Sequence, residues 1–482
     1  MNSSRINYGA ALLAAAVLLA GFVSCSRSSR FYPAGKLHPE TFPFRAGPFV
    51  QLVENTGADK GGRTASYEVW WFDPAPAADA VLCHGSSPDR ESMARVPELP
   101  GGDGLKHRVI VNNIEKGGRC YYRITGFSDA VYSFNALPEG GVPVRILCMG
   151  DTENTASDRE TLSYFSEVLQ SARLFYGREK VPHCMLHLGD MVKFGYDHRG
   201  WNDFFSDMND YAPRVPFVPV LGNHELKGDN GAHFDYFFSA PRYCSYDLND
   251  VHVLVLHPFD GLAFSENGPL VVSSLRQYQF AKSDLEKNRD RKWIVVAIHI
   301  PLLSTGDFGM NRMLISQYFS LFRKNRVDLV LSGHDHMFDS FHVDRDESWG
   351  GTWYLVCGTG GSRLDSYIMT RKKNRWTDWF HDRDAQGGLY QSDPHASLYH
   401  VYGELSWGFT DLEFTGDEMV ISYYRMLSFP RFLDITGQDA GMWKIVPLPS
   451  SVDNTSGRNG VELVKRFSKK RNFNLPFSET KK

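Results

Sequence analysis

The sequence predicts an α/β protein in which an antiparallel β-sandwich precedes a larger domain of buried strands alternating with helices. Three observations carry this. Between about Gly47 and Leu137, the segments TASYEVWWF, HRVIVNNI, RCYYRITGF and AVYSFNAL alternate apolar with polar positions and favour β-branched and aromatic residues, the pattern of half-buried strands. From Val144 onward, VRILCMGD, CMLHLGD, VPFVPVLGNHE, KWIVVAIHIP and VDLVLSGHDH are continuous apolar runs, suited to strands covered on both faces. Between these runs, DRETLSYFSEVLQSARLF, SSLRQYQFAKSDLEKNR and NRMLISQYFSLFRKN read as helices, which implies crossover units with functional residues gathered at strand ends.

A chain of 482 residues is too long for one ordinary core, so several domains are expected. The sandwich is assigned to residues 45–138, with LPEGGVP as the junction, and the second domain to 143–426. Residues 427–482 form a poorly patterned extension that closes on the basic stretch KRFSKKRNFNLPFSETKK, read as a solvated tail or as a contact for an anionic membrane or partner. A net charge of −4 argues against a broad nucleic-acid-binding surface.

The first 25 residues, MNSSRINYGAALLAAAVLLAGFVSC, place Arg5 before a short apolar run and end in a cysteine. This is the layout of an export leader, and the run is short for a spanning helix. FVSC resembles a bacterial lipobox, with Phe22 where leucine is usual, so residues 1–25 are expected to be a lipoprotein signal peptide with Cys25 as the lipid attachment site. A plain leader or an uncleaved anchor is the alternative. The lipoprotein reading makes residues 26–44 a linker and places the protein on a membrane of the bacterial cell envelope. The other cysteines, at 83, 120, 148, 184, 244 and 357, include no C-x-x-C pair, which disfavours cysteine-bound zinc. Cys148 and Cys184 lie in apolar runs as core residues, and an export compartment permits disulfides whose pairing the sequence does not disclose.

The strand ends carry the chemistry. They deliver Asp151 in GDTEN, Asp190 in GDMV, Asn223 and His224 in GNHE, His299 in AIHIP, and His334 with His336 in GHDH. One Gly-Asp after a strand is more often a turn or a helix cap than a ligand, and one core histidine is usually just hydrogen-bonded. All of them together, each closing an apolar run, point to a metal centre. Oxygen and imidazole donors without thiolates favour zinc, manganese or iron, and there are too many for one tetrahedral ion. Two divalent ions about 3.5–4 Å apart around a shared carboxylate suit in-line displacement at phosphorus.

The ordered set GD, GD, GNHE, H and GHDH resembles the calcineurin-like metallophosphoesterase superfamily. The preceding sandwich, FGMN after the fourth motif and GTGG at Gly358 to Gly361 resemble its purple acid phosphatase branch, whose sandwich is fibronectin-III-like. The resemblance implies a four-layer α/β/β/α catalytic domain and hydrolysis of phosphate esters, as a phosphatase, by attack of a metal-bound hydroxide. It also implies that Asp190 bridges two metal ions, that Asp151 and His336 complete one site and that Asn223, His299 and His334 complete the other. His224 would contact phosphate and protonate the leaving oxygen. The implied substrate is a phosphorylated small molecule or ester. A phosphodiesterase or nucleotide hydrolase on the same site, or a non-catalytic metal-containing binding lipoprotein, are the alternatives.

Three departures bear on the site. The branch has a metal-binding tyrosine where this chain has Lys193, so a colourless divalent pair is expected in place of a purple ferric centre. Where many members have a histidine, this chain has Glu153, which could ligate the first metal, bond a metal-bound water, or sit behind the ligands or on the surface. Residues 300–312 contain no histidine for contacting substrate. Elsewhere, His187 reads as a packed core residue and Glu225 as a loop support. Lys227, Tyr196, Trp201 and Asp307 follow motif segments and read as structural residues, with pocket lining the alternative, and His400 and Trp407 are packing residues. Strand alternation would point His334 and His336 the same way, with Asp335 turned aside to orient a neighbour or cap a turn.

Overall fold

The structure, a computed structural model, describes residues 42–53, 62–75, 80–100, 103–153, 163–177, 180–260, 273–365, 399–426 and 461–470. The expected leader with Cys25, and most of the expected linker, lie outside the described residues. None of the described helices is long and apolar enough to cross a membrane.

Seven strands open the chain: β1 (Ala46–Leu52), β2 (Thr64–Phe72), β3 (Val81–Gly85), β4 (Ala94–Arg95), β5 (Lys106–Glu115), β6 (Arg119–Thr125) and β7 (Tyr132–Asn135). β1, β2 and β5 pair side by side, while β3, β4, β6 and β7 form a separate four-stranded sheet ordered β4-β3-β6-β7. Val50, Tyr67, Val69, Trp71, Val109 and Val111 from the first group share a core with Leu82, Tyr122, Ile124 and Phe134 from the second, which is the sandwich that the alternation predicts.

Then come β8 (Val144–Met149), α1 (Phe165–Tyr176), β9 (Cys184–His187), α2 (His198–Met208), β10 (Phe217–Pro219), α3 (Ala232–Phe237), β11 (Cys244–Leu248), β12 (Val251–Leu256), α4 (Leu275–Lys287), β13 (Trp293–Ile298), α5 (Arg312–Lys324) and β14 (Leu329–Ser332). Six strands follow: β15 (Phe338–Val343), β16 (Thr352–Cys357), β17 (His400–Glu404), β18 (Gly408–Phe414), β19 (Glu418–Met426) and β20 (Val461–Lys470). Side-chain caps start the helices where the sequence supplies them: Ser274 accepts from the Gln277 amide at α4, and Asn311 from the Leu314 amide at α5.

One sheet has nine strands ordered β20-β19-β18-β8-β9-β10-β1-β2-β5, and another has seven ordered β11-β12-β13-β14-β16-β15-β17. Alternation along each central strand builds the layers. Ile146 and Cys148 of β8 face Val253 and Val255 of β12 and Val295 and Ala297 of β13 in the core between the sheets. Leu147 and Met149 instead face outward onto Phe165 and Val168 of α1 and Phe204 of α2. On the far side, Ile294, Val296 and Ile298 of β13 pack on Leu285 of α4 and Leu314 and Tyr318 of α5. This is the four-layer α/β/β/α arrangement, which explains why these strands are apolar without a break.

Two regions depart from the sequence reading. The sandwich strands were expected to keep a polar face, yet Tyr67 to Phe72 are all buried. β1 pairs in parallel with β10 through Gln51 and Phe217, so the sandwich and the second domain share one sheet across the boundary drawn at residues 138–143. Phe49, Trp70 and Phe72 use their other face against Trp201, Phe205 and Phe237. Phe42 and Phe44, at the end of the expected linker, pack into the same aromatic cluster. The second departure is β20, where part of the basic stretch read as a solvated tail forms an edge strand antiparallel to β19. Lys469 is buried there, donating 2.6 Å to Asp328 Oδ1 and 2.5 Å to the Gly351 carbonyl. A cation whose partners lie more than 100 residues away leaves no local signal.

Candidate metal centre

The loops after β8, β9 and β10 in one sheet and after β13 and β14 in the other open on the same edge, and every expected ligand lies there. Two groups of donors come within 4.8 Å of one another: Asp190, His299 and His334, and Glu153, Asp190 and His224. Asp190 belongs to both. Its Oδ2 stands 3.2 Å from His299 Nε2 and 3.8 Å from His224 Nε2, and its Oδ1 accepts the His224 amide at 2.8 Å. The Asn223 side-chain oxygen is 3.0 Å from both His299 Nε2 and His334 Nδ1. Opposite, His336 Nε2 lies 3.6 Å from Asp151 Oδ1 and 3.9 Å from Glu153 Oε1.

Backbone carbonyls orient the rings. His299 Nδ1 donates to the Leu188 carbonyl at 2.7 Å, His336 Nδ1 to that of Arg363 at 2.5 Å, and His224 Nδ1 to that of Lys193 at 2.9 Å. A carbonyl can only accept, so the proton sits on Nδ1 and Nε2 is turned inward, the usual support for a metal-binding imidazole.

The main chain is bent to do this. Asp151, Glu153, Asp190 and His334 have φ of 61, 42, 55 and 71°, and they account for four of the nine non-glycine residues with positive φ among the described residues. Such left-handed backbone costs about 1–3 kcal/mol per residue and concentrates at functional sites. His334 therefore does not continue an extended strand; β14 stops at Ser332. The left-handed turn, rather than strand alternation, sends His334 and His336 to different halves of the cluster. Asp335 turns away, buried, and accepts the Phe308 amide at 2.9 Å. The adjoining glycines leave room for carboxylates: a Cβ on Gly222 would stand 2.2 Å from Asp190 Oδ1, and one on Gly333 2.3 Å from Asp151 Oδ2.

Asp151, Glu153 and Asp190 are all at most 4% exposed. Burial, with Asp190 and Glu153 alongside, pushes the Asp151 carboxyl well above the usual range. Burial would also raise Asp190, but His299 and His224 outweigh it and hold it well below. Burial depresses His334 far below an ordinary imidazole, keeping it neutral as a ligand must be. Three acids crowded out of water, with imidazoles aimed between them, are the donor set that divalent cations satisfy. The residues fit two ions.

Glu225 does more than hold one loop. Its buried carboxylate accepts the amides of Asp190, Met191, Val192 and Gly222, tying the loop after β9 to the loop after β10. His187 is a core residue, edge-on to Phe165 and Phe204. Lys227 places Nζ 2.7 Å from His224 Nε2, and Tyr196 is partly exposed. Trp201 is fully buried and donates to the Gly195 carbonyl, so it lines nothing. The Asp307 amide donates to Asp365. His400 bonds Asp339 and Trp407 bonds the Ser362 carbonyl, both as packing residues. The residues missed in sequence are Ser362, which donates 2.8 Å to Glu153 Oε2, and Phe308, half exposed with its ring 4.3 Å from His334. Ser362 directly follows GTGG and Phe308 opens FGMN, but no local pattern marks the role of either.

Two packed sheets thus offer carboxylates and imidazoles from their strand ends as a candidate metal centre. Residues 144–338 match the family described as calcineurin-like phosphoesterase. Its sequence is 26% identical over 291 residues to purple acid phosphatase 22 of Arabidopsis thaliana, covering 56% of this chain and 62% of that protein. It is also 26% identical over 318 residues to probable inactive purple acid phosphatase 9 of the same plant, covering 54% and 47%. The chain thus spans about half to three fifths of the length of these relatives. Its fold is similar to purple acid phosphatase PPD1 from yellow lupin, Lupinus luteus (TM-score 0.58, 16% identity, 79% of this chain and 72% of that one), and to PhoD (TM-score 0.57, 12% identity, 88% and 90%).

Proposed function

We propose that this protein is a phosphatase, hydrolysing phosphate esters at a centre of two divalent ions drawn from zinc, manganese and iron. The observation that carries this reading is the buried Asp190 carboxylate common to both donor groups. Asp190 would hold both ions, Asp151 and His336 one of them, and Asn223, His299 and His334 the other. When bound, such ions supply Lewis acidity at the phosphoryl oxygens and neutralise charge in the transition state.

The chain's own residues do the rest. His224 Nδ1–H is committed to the Lys193 carbonyl, so Nε2 is the ring atom that must first take up a proton, forming the imidazolium, and then pass it to the leaving oxygen. Lys227, beside Nε2, adds positive charge where a phosphate dianion would approach. Phe308 covers His334 and keeps water from that face.

Full-length protein loaded with manganese, zinc or iron should hydrolyse p-nitrophenyl phosphate. Asp190→Asn should abolish turnover, and His224→Ala should lower kcat by about 10²–10⁴-fold with both ions retained. Two bound ions without turnover on any mono- or diester would overturn the reading. We further propose that Cys25 carries a lipid anchoring the protein in a bacterial envelope, on the strength of the FVSC ending of its leader. Cys25→Ser should then move the protein from the membrane fraction to the soluble one, and retention in the membrane would contradict the anchor.

A further inference from the structure

We propose that Glu153 is the fourth protein ligand of the ion held by Asp151, Asp190 and His336, and that Lys193 is the residue that positions it. This rests on the two-ion reading above but adds a ligand and a supporting cation.

Counting donors makes the case. The second ion has Asp190, Asn223, His299 and His334, whereas the first without Glu153 has only Asp190, Asp151 and His336. Glu153 Oε1 is the donor that evens the two sets. It lies 3.0 Å from His224 Nε2 and 3.9 Å from His336 Nε2, inside the cluster. Its other oxygen is occupied: Oε2 accepts 2.6 Å from Lys193 Nζ and 2.8 Å from Ser362 Oγ. With Oε2 held by two donors, Oε1 is the oxygen turned toward the imidazoles of the cluster. The same division of labour, one atom held from behind and the other presented, operates in the carbonyl-supported imidazoles of this site.

An ordinary ion pair does not explain the arrangement. Exposed pairs contribute little, but here the Glu153 side chain is only 4% exposed, and Lys193 engages just one of its two oxygens. The backbone also works for it. Glu153 adopts a left-handed φ of 42° with its amide donating 2.9 Å to the Asp190 carbonyl, which turns its side chain back over the cluster. The competing role is a carboxylate partner for His224, since the same Oε1 faces Nε2.

Manganese titration of the full-length metal-free protein, with bound metal counted by elemental analysis, separates these roles. Wild type should take up two ions. Glu153→Gln should weaken one of them by at least about tenfold and leave the other unchanged. Lys193→Met should weaken that same ion by about tenfold, Lys193→Arg should restore most of the loss, and Glu153→Gln with Lys193→Met should be no worse than Glu153→Gln alone. Two ions bound with wild-type affinity in Glu153→Gln would overturn the proposal in favour of the His224 partnership. Should Glu153→Gln fail to fold, by the melting of its metal-free form, the lysine pair decides: wild-type affinity in Lys193→Met overturns it. If wild type binds two ions yet turns over no phosphate ester, the functional reading fails and this assignment stands.

Discussion

At the scale of single residues, the site is defined by how little space surrounds its carboxylates. Gly222 and Gly333 are there because a methyl group would stand 2.2 or 2.3 Å from Asp190 or Asp151. Gly222→Ala should therefore displace Asp190 and cost the protein metal and at least about 10²-fold in kcat, since misplacement by about 1 Å is enough for such a loss. Bound-metal analysis beside steady-state kinetics checks this; unchanged values would show that Asp190 does not need its present position. Lys193 has no phenolate to offer a ferric ion, and its ammonium is engaged with Glu153. Iron-loaded protein should thus lack an intense visible charge-transfer band, and a purple solution would refute this. Phe308 presents half its surface above His334. Phe308→Ala should raise KM for an aryl phosphate severalfold while leaving kcat close to wild type, because stacking contributes about 0.5–1.5 kcal/mol; equal KM values would remove Phe308 from the pocket.

At the scale of elements, the two ends of the described chain are built into the nine-stranded sheet. β1 pairs with β10, next to the strand that carries Asp190 toward the site, and Trp70 of β2 stacks with Phe49 at 4.7 Å and meets Phe205 edge-on at 5.7 Å. Removing residues 42–138 should consequently leave residues 143–482 without cooperative unfolding, measured by circular dichroism on heating, because the opened edge and the stripped aromatic face would both meet water. A sharp transition in that fragment would indicate an independent domain. The opposite edge depends on β20, where Lys469 neutralises the buried Asp328. Lys469→Met should lower stability by about 3–5 kcal/mol in urea, the usual cost of leaving a buried charge alone.

At the scale of the whole molecule, acid is the weak point. Burial lowers His187 and His257 to about 3, and the Nδ1 of each is buried without a partner. Unfolded, both would bind a proton near 6.5, so the unfolded state holds more protons between pH 6.5 and 3, and stability falls as pH drops through that window. Each should cost about 2 kcal/mol at pH 5 relative to pH 8, and His257→Gln should flatten part of the slope in a series of thermal melts. An unchanged slope would mean His257 is not neutral in the folded protein. Much of this molecule was legible in one dimension. Apolar runs without a break identify β8, β9, β10, β13 and β14, and the residue types at their ends identify the donors, because the covering of a strand and the chemistry of a ligand are both local properties. The sandwich core followed from alternation for the same reason. The rest depends on partners distant in sequence. Glu153 is ambiguous in sequence because Lys193 and Ser362, which take one of its oxygens, lie 40 and 209 residues away. The left-handed turn at His334 and the docking of β1 and β20 onto the central sheet were equally hidden. Sequence alone determined which strands and candidate donors exist; only the tertiary structure decided which carboxylate oxygen faces which imidazole. Those distances arise from sheet pairing and loop packing between residues far apart in the chain, where no periodicity reaches.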